Sequence, residues 1–350
     1  MYLCRMKHLQ RLTLYAIASV IIFASCNNGI NRDTTKKGSS GKTLEVLFVA
    51  EKSLYQGDMR PLIDSLFRRP QLGLPQEEPI FDVVNIPISS YKNSEMFRVH
   101  RNVILCDVKA ENPNKAYRHI DQWSEPQIVF EFAAKDSKSL DSMLRQYAPT
   151  IIKDIYRTEH RRMIKVFKGT EGIEVRNAIE KQIGLRLTVS EEFELAKPNN
   201  PTEDFVWIRK ETKDFGIGVL VQVMPYREES VFEQSHILDM LDTMMRRHVP
   251  GSAENSYMGT ERRMDNYTQT IDFEGSPYCV ETRGCWRTYG DFMGGPYVNY
   301  TLLSPDKKQV ITLTGYVYYP SGRLKSVTKR DLLMQVEGIC HSLEMGGASK

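Results

Sequence analysis

The sequence predicts an α+β fold of two related modules, each an antiparallel-rich sheet with helices packed on one face. Three observations lead there. Apolar runs of strand length are interspersed with stretches of helical period. The order strand, helix, several strands, helix occurs twice, loosely, along the chain. The 350 residues also leave room for two domains after an amino-terminal leader is set aside. The expected division is 1–25 as signal peptide, 26–42 as tether, 43–184 as the first module and 185–350 as the second.

In order along the chain, "LEVLFVA" from Leu44 is a nearly continuous apolar run, the mark of a strand buried on both faces. Leu62, Ile63, Leu66 and Phe67 then fall at helical spacing. Strands are expected over Phe81–Ile86, Asn102–Val108 and Gln127–Ala133. A long helix over about Lys138–Lys168 carries the stripe Leu140, Met143, Leu144, Tyr147, Ile151, Ile155, Met163 and Phe167. Asp136 or Ser137 can cap its start, Gly169 can end it, and Pro149 inside it should kink it. A shorter helix over Ile173–Ile183 stops at Gly184. "LRLTV", "FVWIRKE" and "GIGVLVQVM" follow as strands. A helix over Val231–His248 opens with a capping-box pair, Ser230 and Glu233, and closes on Arg246, Arg247 and His248. Four further strands, "YTQTIDF", "YCVETRGCW", "YVNYTLL" and "QVITLTGYVYY", precede a last helix that starts at Thr328 with Asp331 in capping-box position.

The amino end predicts an address. Arg5, Lys7 and Arg11 precede an apolar segment from Leu12 to Ala24, and small residues Ala24 and Ser25 precede Cys26. A basic start, a short apolar core and a small-residue cleavage point make a secretory signal peptide. The core is shorter than the ~20 residues a membrane-spanning helix needs. With Cys26 behind it, the segment resembles a bacterial lipobox, although Phe23 stands where leucine is usual. That resemblance implies cleavage before Cys26 and acyl chains, palmitate among them, on that residue. Each buried CH₂ contributes about 0.8 kcal/mol, so several chains hold a protein to a bilayer. The polar, Gly/Ser-rich "NNGINRDTTKKGSSGK" reads as a flexible tether. Asn27 is not the inner-membrane aspartate, and the residues after Cys26 lack an acidic cluster, the first acid being Asp33. The expectation is the outer membrane, with the folded part facing the periplasm.

The formal charge of +3 belongs to that leader: the three basic residues before Cys26, taken from 47 Lys and Arg, leave 44 against 44 acids. A neutral mature chain gives no electrostatic case for nucleic acid. Of six cysteines, Cys106, Cys279, Cys285 and Cys340 remain after Cys4 and Cys26 are accounted for. Cys279 and Cys285 lie roughly 20 Å apart if the strand is extended, too far for a disulfide unless the chain turns between them. Buried thiols are the expectation. No spacing of Cys or His suggests a metal, and no cofactor motif occurs.

The carboxyl half holds the candidate surface. On an extended strand Glu281 and Arg283 share one face and Trp286 lies on the other. Gly294-Gly295-Pro296 after Met293 fits a turn into the next strand, and aromatic residues including Tyr297 and Tyr318 crowd the region. Glu281, Arg283, Trp286, Met293, Gly294, Gly295, Tyr297 and Tyr318 are therefore the candidate ligand or partner residues. The plainer expectation is that Glu281 and Arg283 form a structural ion pair and the aromatics pack the core. His160, followed by Arg161 and Arg162, reads as part of a solvated helix face, and His236 and His248 are too far apart to share a metal. No G-x-S-x-G, H-E-x-x-H, P-loop or G-x-G-x-x-G is present. "EVLFVAEKSLY", "GLPQEEPIFDVV", "RNVILCDV", Glu281-Thr282-Arg283-Gly284 and Met293-Gly294-Gly295-Pro296 together resemble a family of Bacteroidetes lipoproteins known only as a domain of unknown function. The resemblance implies an address and a fold but no activity. The reading favoured is an envelope-anchored lipoprotein that binds or scaffolds an envelope protein or glycan without catalysis. The alternative is a hydrolase of envelope glycan or peptide using Glu281.

Overall fold

The computed structural model describes residues 36–57, 59–196, 202–320, 324 and 327–345. Cys26 and the signal peptide lie outside the described residues. Gly38–Lys350 forms one compact unit.

The first half is built on β1 (Glu45–Val49), α1 (Lys52–Gln56), α2 (Met59–Phe67), β2 (Asp82–Ile86), α3 (Ile88–Asn93), α4 (Glu95–Arg98), β3 (Asn102–Val108), β4 (Lys115–Ile120), β5 (Ile128–Ala134) and α5 (Ser137–Gly169). Its sheet runs β2-β1-β3-β5-β4. The α+β class holds, but this sheet departs from the expected antiparallel pattern. β1 pairs parallel with β2 and β3, and β3 pairs parallel with β5; only β4 runs antiparallel, at the edge. Helices also cover both faces rather than one. Val46, Phe48 and Ile104 pack with α2 and α5, while Leu47, Val49 and Val103 pack with Tyr91 of α3. Burial on both sides is why β1 is apolar at every position after Glu45.

α5 is one helix through Pro149, capped by the Asp136 carboxylate accepting from Ser139 N at 2.7 Å. α6 (Ile173–Ile183) stops at Gly184, whose φ of 69° is the left-handed conformation that glycine tolerates best. The expected strand "LRLTV" shrinks to β6 (Leu185–Arg186).

The second half adds β7 (Glu194–Leu195), β8 (Phe205–Glu211), β9 (Gly216–Pro225), α7 (Gln234–His248), β10 (Tyr257–Thr260), β11 (Tyr267–Ile271), β12 (Cys279–Tyr289), β13 (Gly294–Leu303), β14 (Gln309–Tyr318), α8 (Lys329–Cys340) and β15 (Glu344–Met345). Its main sheet is antiparallel, in the order β10-β12-β13-β14-β9-β8-β7, with β11 on the same edge of β12 as β10. α8 covers one face through Leu332, Leu333, Val336 and Ile339, and α7 covers the other through Ile237, Leu241 and Met245. Each such side chain contributes roughly 1.5–3 kcal/mol on burial. The two halves thus carry one loosely repeated element order on two different topologies. The Ser230–Glu233 capping box does not form. Glu229–Phe232 is a short 3₁₀ turn and Glu233 is extended, so α7 begins at Gln234 without a side-chain cap. The box on α8 does form, between Thr328 and Asp331.

α8 belongs to both halves. Gly338 lies so close beneath Met163 of α5 that an added Cβ would sit 2.5 Å from the Met163 Cβ. Glu78, from the loop before β2, accepts from the backbone N–H groups of Lys329 and Arg330 at 3.1 and 2.8 Å. Arg330 bonds Asp82 at 2.7 Å, and Met334 reaches the core of the first half.

Candidate functional site

The sequence-predicted residues divide between the two faces of β12 and β13. Glu281 and Arg283 point toward α5 and α8, as period-2 spacing requires. Arg283 Nη2 donates to Glu281 Oε2 at 2.9 Å and Nη1 donates to Glu337 Oε1 at 2.8 Å. Gln269 on β11 donates to the second Glu281 oxygen at 2.8 Å. The second Glu337 oxygen meets His160 Nε2 at 3.2 Å. His160 is buried, not solvated, because its partner comes from α8. The His160 ring stacks on His341 at 3.9 Å, and His341 stacks in turn on Phe273 at 4.6 Å. Gly73, at φ +79°, lays the loop before β2 directly over Arg283 and Gly284.

The electrostatics follow from this packing. Burial alone would raise the Glu337 carboxyl, but the Arg283 guanidinium and the His160 bond outweigh it and hold it well below the usual range. Burial would lower Arg283, yet its two carboxylates keep it above its ordinary value. His341 is driven well below its ordinary value by burial and by His160 beside it. Burial raises the thiols of Cys106, Cys279 and Cys340 and pushes Cys285 up to about 11. All four are buried free thiols, far from the thiolate form that makes cysteine a nucleophile.

Trp286, Tyr297 and Tyr318 face the opposite way, toward α7. Trp286 is buried and its Nε1 donates to Val317 O at 3.1 Å; its ring meets Tyr316 edge-on at 5.8 Å and tilts against Tyr318 at 6.2 Å. Tyr297 is fully buried, with its hydroxyl donating to Asn266 Oδ1 at 2.6 Å. Gly294 and Gly295 open β13 opposite Arg287 and Trp286. A Cβ on Gly295 would lie 2.0 Å from Val317 O, so glycine there serves strand packing. Met293 packs partly against the same cluster. The eight residues do not form one surface.

The open site is a cleft of about 630 Å³ at the far edge of this face, between β8 and the end of α7. Phe205 and Trp207 from β8, Arg246, Arg247 and His248 from the last turn of α7, and Glu203, Ser256 and Tyr257 line it. His248 stacks on Phe205 at 4.1 Å. Arg247 and His248 both meet Glu203 at 3.2 Å. Burial lowers His248 below its ordinary value, with Glu203 opposing. Arg246 lies 4.9 Å over the Tyr257 ring and has no carboxylate partner among the described residues. Aromatic surface beside an uncompensated guanidinium can hold an anionic group by fork-shaped hydrogen bonds while an apolar portion rests on the rings. In the sequence these arginines only close a helix, and Phe205 and Trp207 belong to the strand "FVWIRKE". The pairing across the cleft is tertiary and leaves no local signal. Among the described residues no group of three or more His, Cys, Asp or Glu could hold a metal ion, and no helix is long and apolar enough to cross a membrane.

Residues 173–342 match the family model "Domain of unknown function (DUF4837)" and residues 39–168 match "Domain of unknown function (DUF8532)". The two matches meet between α5 and α6. No curated protein matches the chain. Among solved structures, one match is the crystal structure of LpqN involved in cell envelope biogenesis of Mycobacterium tuberculosis, at 11% identity over 44% of this chain and 78% of that one. Its TM-score of 0.25 is too low for the likeness to carry an argument about fold or function.

Proposed function

We propose that this chain is a cell-envelope lipoprotein, held at the outer membrane by acyl chains on Cys26 and facing the periplasm, that binds an anionic envelope partner without transforming it. The observation that carries the reading is the cleft of Phe205, Trp207, Arg246 and Tyr257, in which a guanidinium with no carboxylate partner among the described residues lies over an aromatic ring. Its volume falls within the ~300–1,000 Å³ of ordinary ligand sites. What supports binding over hydrolysis is the use made of Glu281. Both of its oxygens are occupied, by Gln269 and by Arg283, and the carboxylate is buried away from the cleft. A general acid or base must reach a substrate proton, and this one is committed to holding the interior together.

The test is photo-crosslinking in intact envelopes, with the photoreactive residue placed at Tyr257 of the full-length chain. A discrete adduct that disappears in an Arg246→Glu, Arg247→Glu chain is expected. An adduct unaffected by that charge reversal, or the same adduct from a probe at Lys181 on α6, means the cleft is not where the partner binds.

A further inference from the structure

A second site lies on the first sheet, and it is independent of the cleft. β1 is the strand where the connection direction reverses. From its carboxyl end the chain runs through α1 and α2 to β2 on one side. From the carboxyl end of β2 it runs through α3 and α4 to β3 on the other side. The first connection packs on the Val46 and Phe48 face and the second on the Leu47 and Val49 face. Connections that part to opposite faces leave a crevice between the carboxyl ends of the two central parallel strands, which is where open parallel sheets bind ligands. A cavity of about 580 Å³ occupies that position here.

Its lining is apolar below and charged at the rim. Leu54, Ile88 and Val108 provide the apolar part, beside the buried Cys106. Ser53 and Ser89 add two hydroxyls, one on each connection. Asp107 and Lys109, at the end of β3, pair with one another at 2.9 Å and cancel. That leaves Glu51, at the start of the first connection, and Lys92, on the second. Neither has an ion-pair partner among the described residues. The rim therefore presents one uncompensated negative and one uncompensated positive group, carried by the two diverging connections.

We propose that this crevice binds a short peptide with free termini, its ammonium group at Glu51 and its carboxylate at Lys92. The apolar floor receives small side chains and the serine hydroxyls meet the amide groups. With two acids and two lysines the lining is electrically balanced, which matches a zwitterion and disfavours a polyanion such as a nucleotide.

The probe is trialanine, titrated by calorimetry into the full-length chain in detergent micelles, with the site located by hydrogen exchange. Saturable binding is expected, with protection confined to residues 51–57, 88–93 and 106–110. Acetylating the amine or amidating the carboxyl should each weaken binding at least tenfold. In Lys92→Ala the free-acid and amidated peptides should bind alike, and in Glu51→Gln the free-amine and acetylated peptides should bind alike. Both positions are exposed, and the melting temperature of each variant serves as the folding control. No saturable binding at millimolar peptide, equal binding of doubly capped trialanine, or protection only around β8 and α7 would each overturn the proposal. Absence of binding, or binding of the doubly capped peptide, leaves the crosslinking test of the cleft untouched.

Discussion

Charged residues are used in two opposite ways in this molecule. Inside, between α5, α8 and β12, Arg283 is enclosed by Glu281 and Glu337, and Glu337 by Arg283 and His160. At the edge, in the last turn of α7, Arg246 lies over the face of Tyr257, has no carboxylate partner among the described residues and stays exposed. The chemistry of the two arginines is the same. What differs is the solvent they have lost. A buried charge without a partner is costly, so the interior cluster has to be complete, whereas an exposed one is free to meet something else. Completeness fits the interior group to architecture, and incompleteness is what makes the edge group the candidate for binding.

The sharpest way to break this contrast is to remove Arg283. Arg283→Met strands two buried carboxylates and should cost roughly 3–5 kcal/mol of stability, read from the denaturant midpoint at neutral pH. A variant as stable as the parent would show that the cluster is not structural, and Glu281 would return as a candidate site residue.

A smaller effect is expected from acid. His341 has its folded value below the ordinary 6.5, so the unfolded chain binds more protons there and stability falls as pH drops below about 6.5. Glu337, also lowered, adds its own loss once pH falls below its ordinary 4.5. Each group contributes at most about 1.4 kcal/mol per pH unit. His100 and His248 are lowered too, chiefly by burial, and share the upper window. His341→Phe, which keeps a ring between His160 and Phe273, should therefore flatten the decline between pH 6.5 and 5 without abolishing it. An unchanged slope in urea titrations across that range would remove His341 from the account.

The smallest effect belongs to the edge. Arg246→Ala should move stability by no more than about 0.5 kcal/mol, the usual range for an exposed position. If instead it destabilises the chain as Arg283→Met does, the cleft is part of the structural frame and the contrast collapses.

Much of this was legible in the sequence where the signal is local. Alternation placed Glu281 and Arg283 on one face of a strand, and Thr328 with Asp331 announced the cap of α8. Gly184 ended α6 as expected. Signals that need a distant partner were not legible. His160 looks solvated beside Arg161 and Arg162 until Glu337, 177 residues away, comes down on it. The apolar run of β1 did say that both faces are buried, but not that its neighbours run parallel, since strand direction is decided by connections and not by composition. Ser230 and Glu233 had the right spacing for a cap and lost to a 3₁₀ turn. Neither the cleft nor the crevice has a motif, because each is made where segments far apart in sequence converge.

The position of α8 has a consequence for how this chain comes into being. A polypeptide threaded out amino end first delivers β1 to β5 long before residues 329–340 appear. Until they do, the first sheet lacks Met334 at its core, Asp82 lacks Arg330, and Glu78 has no helix start to cap. A chain halted before that helix would leave uncovered the apolar surface that Met334 packs against, and such surface makes a partly folded chain prone to associate.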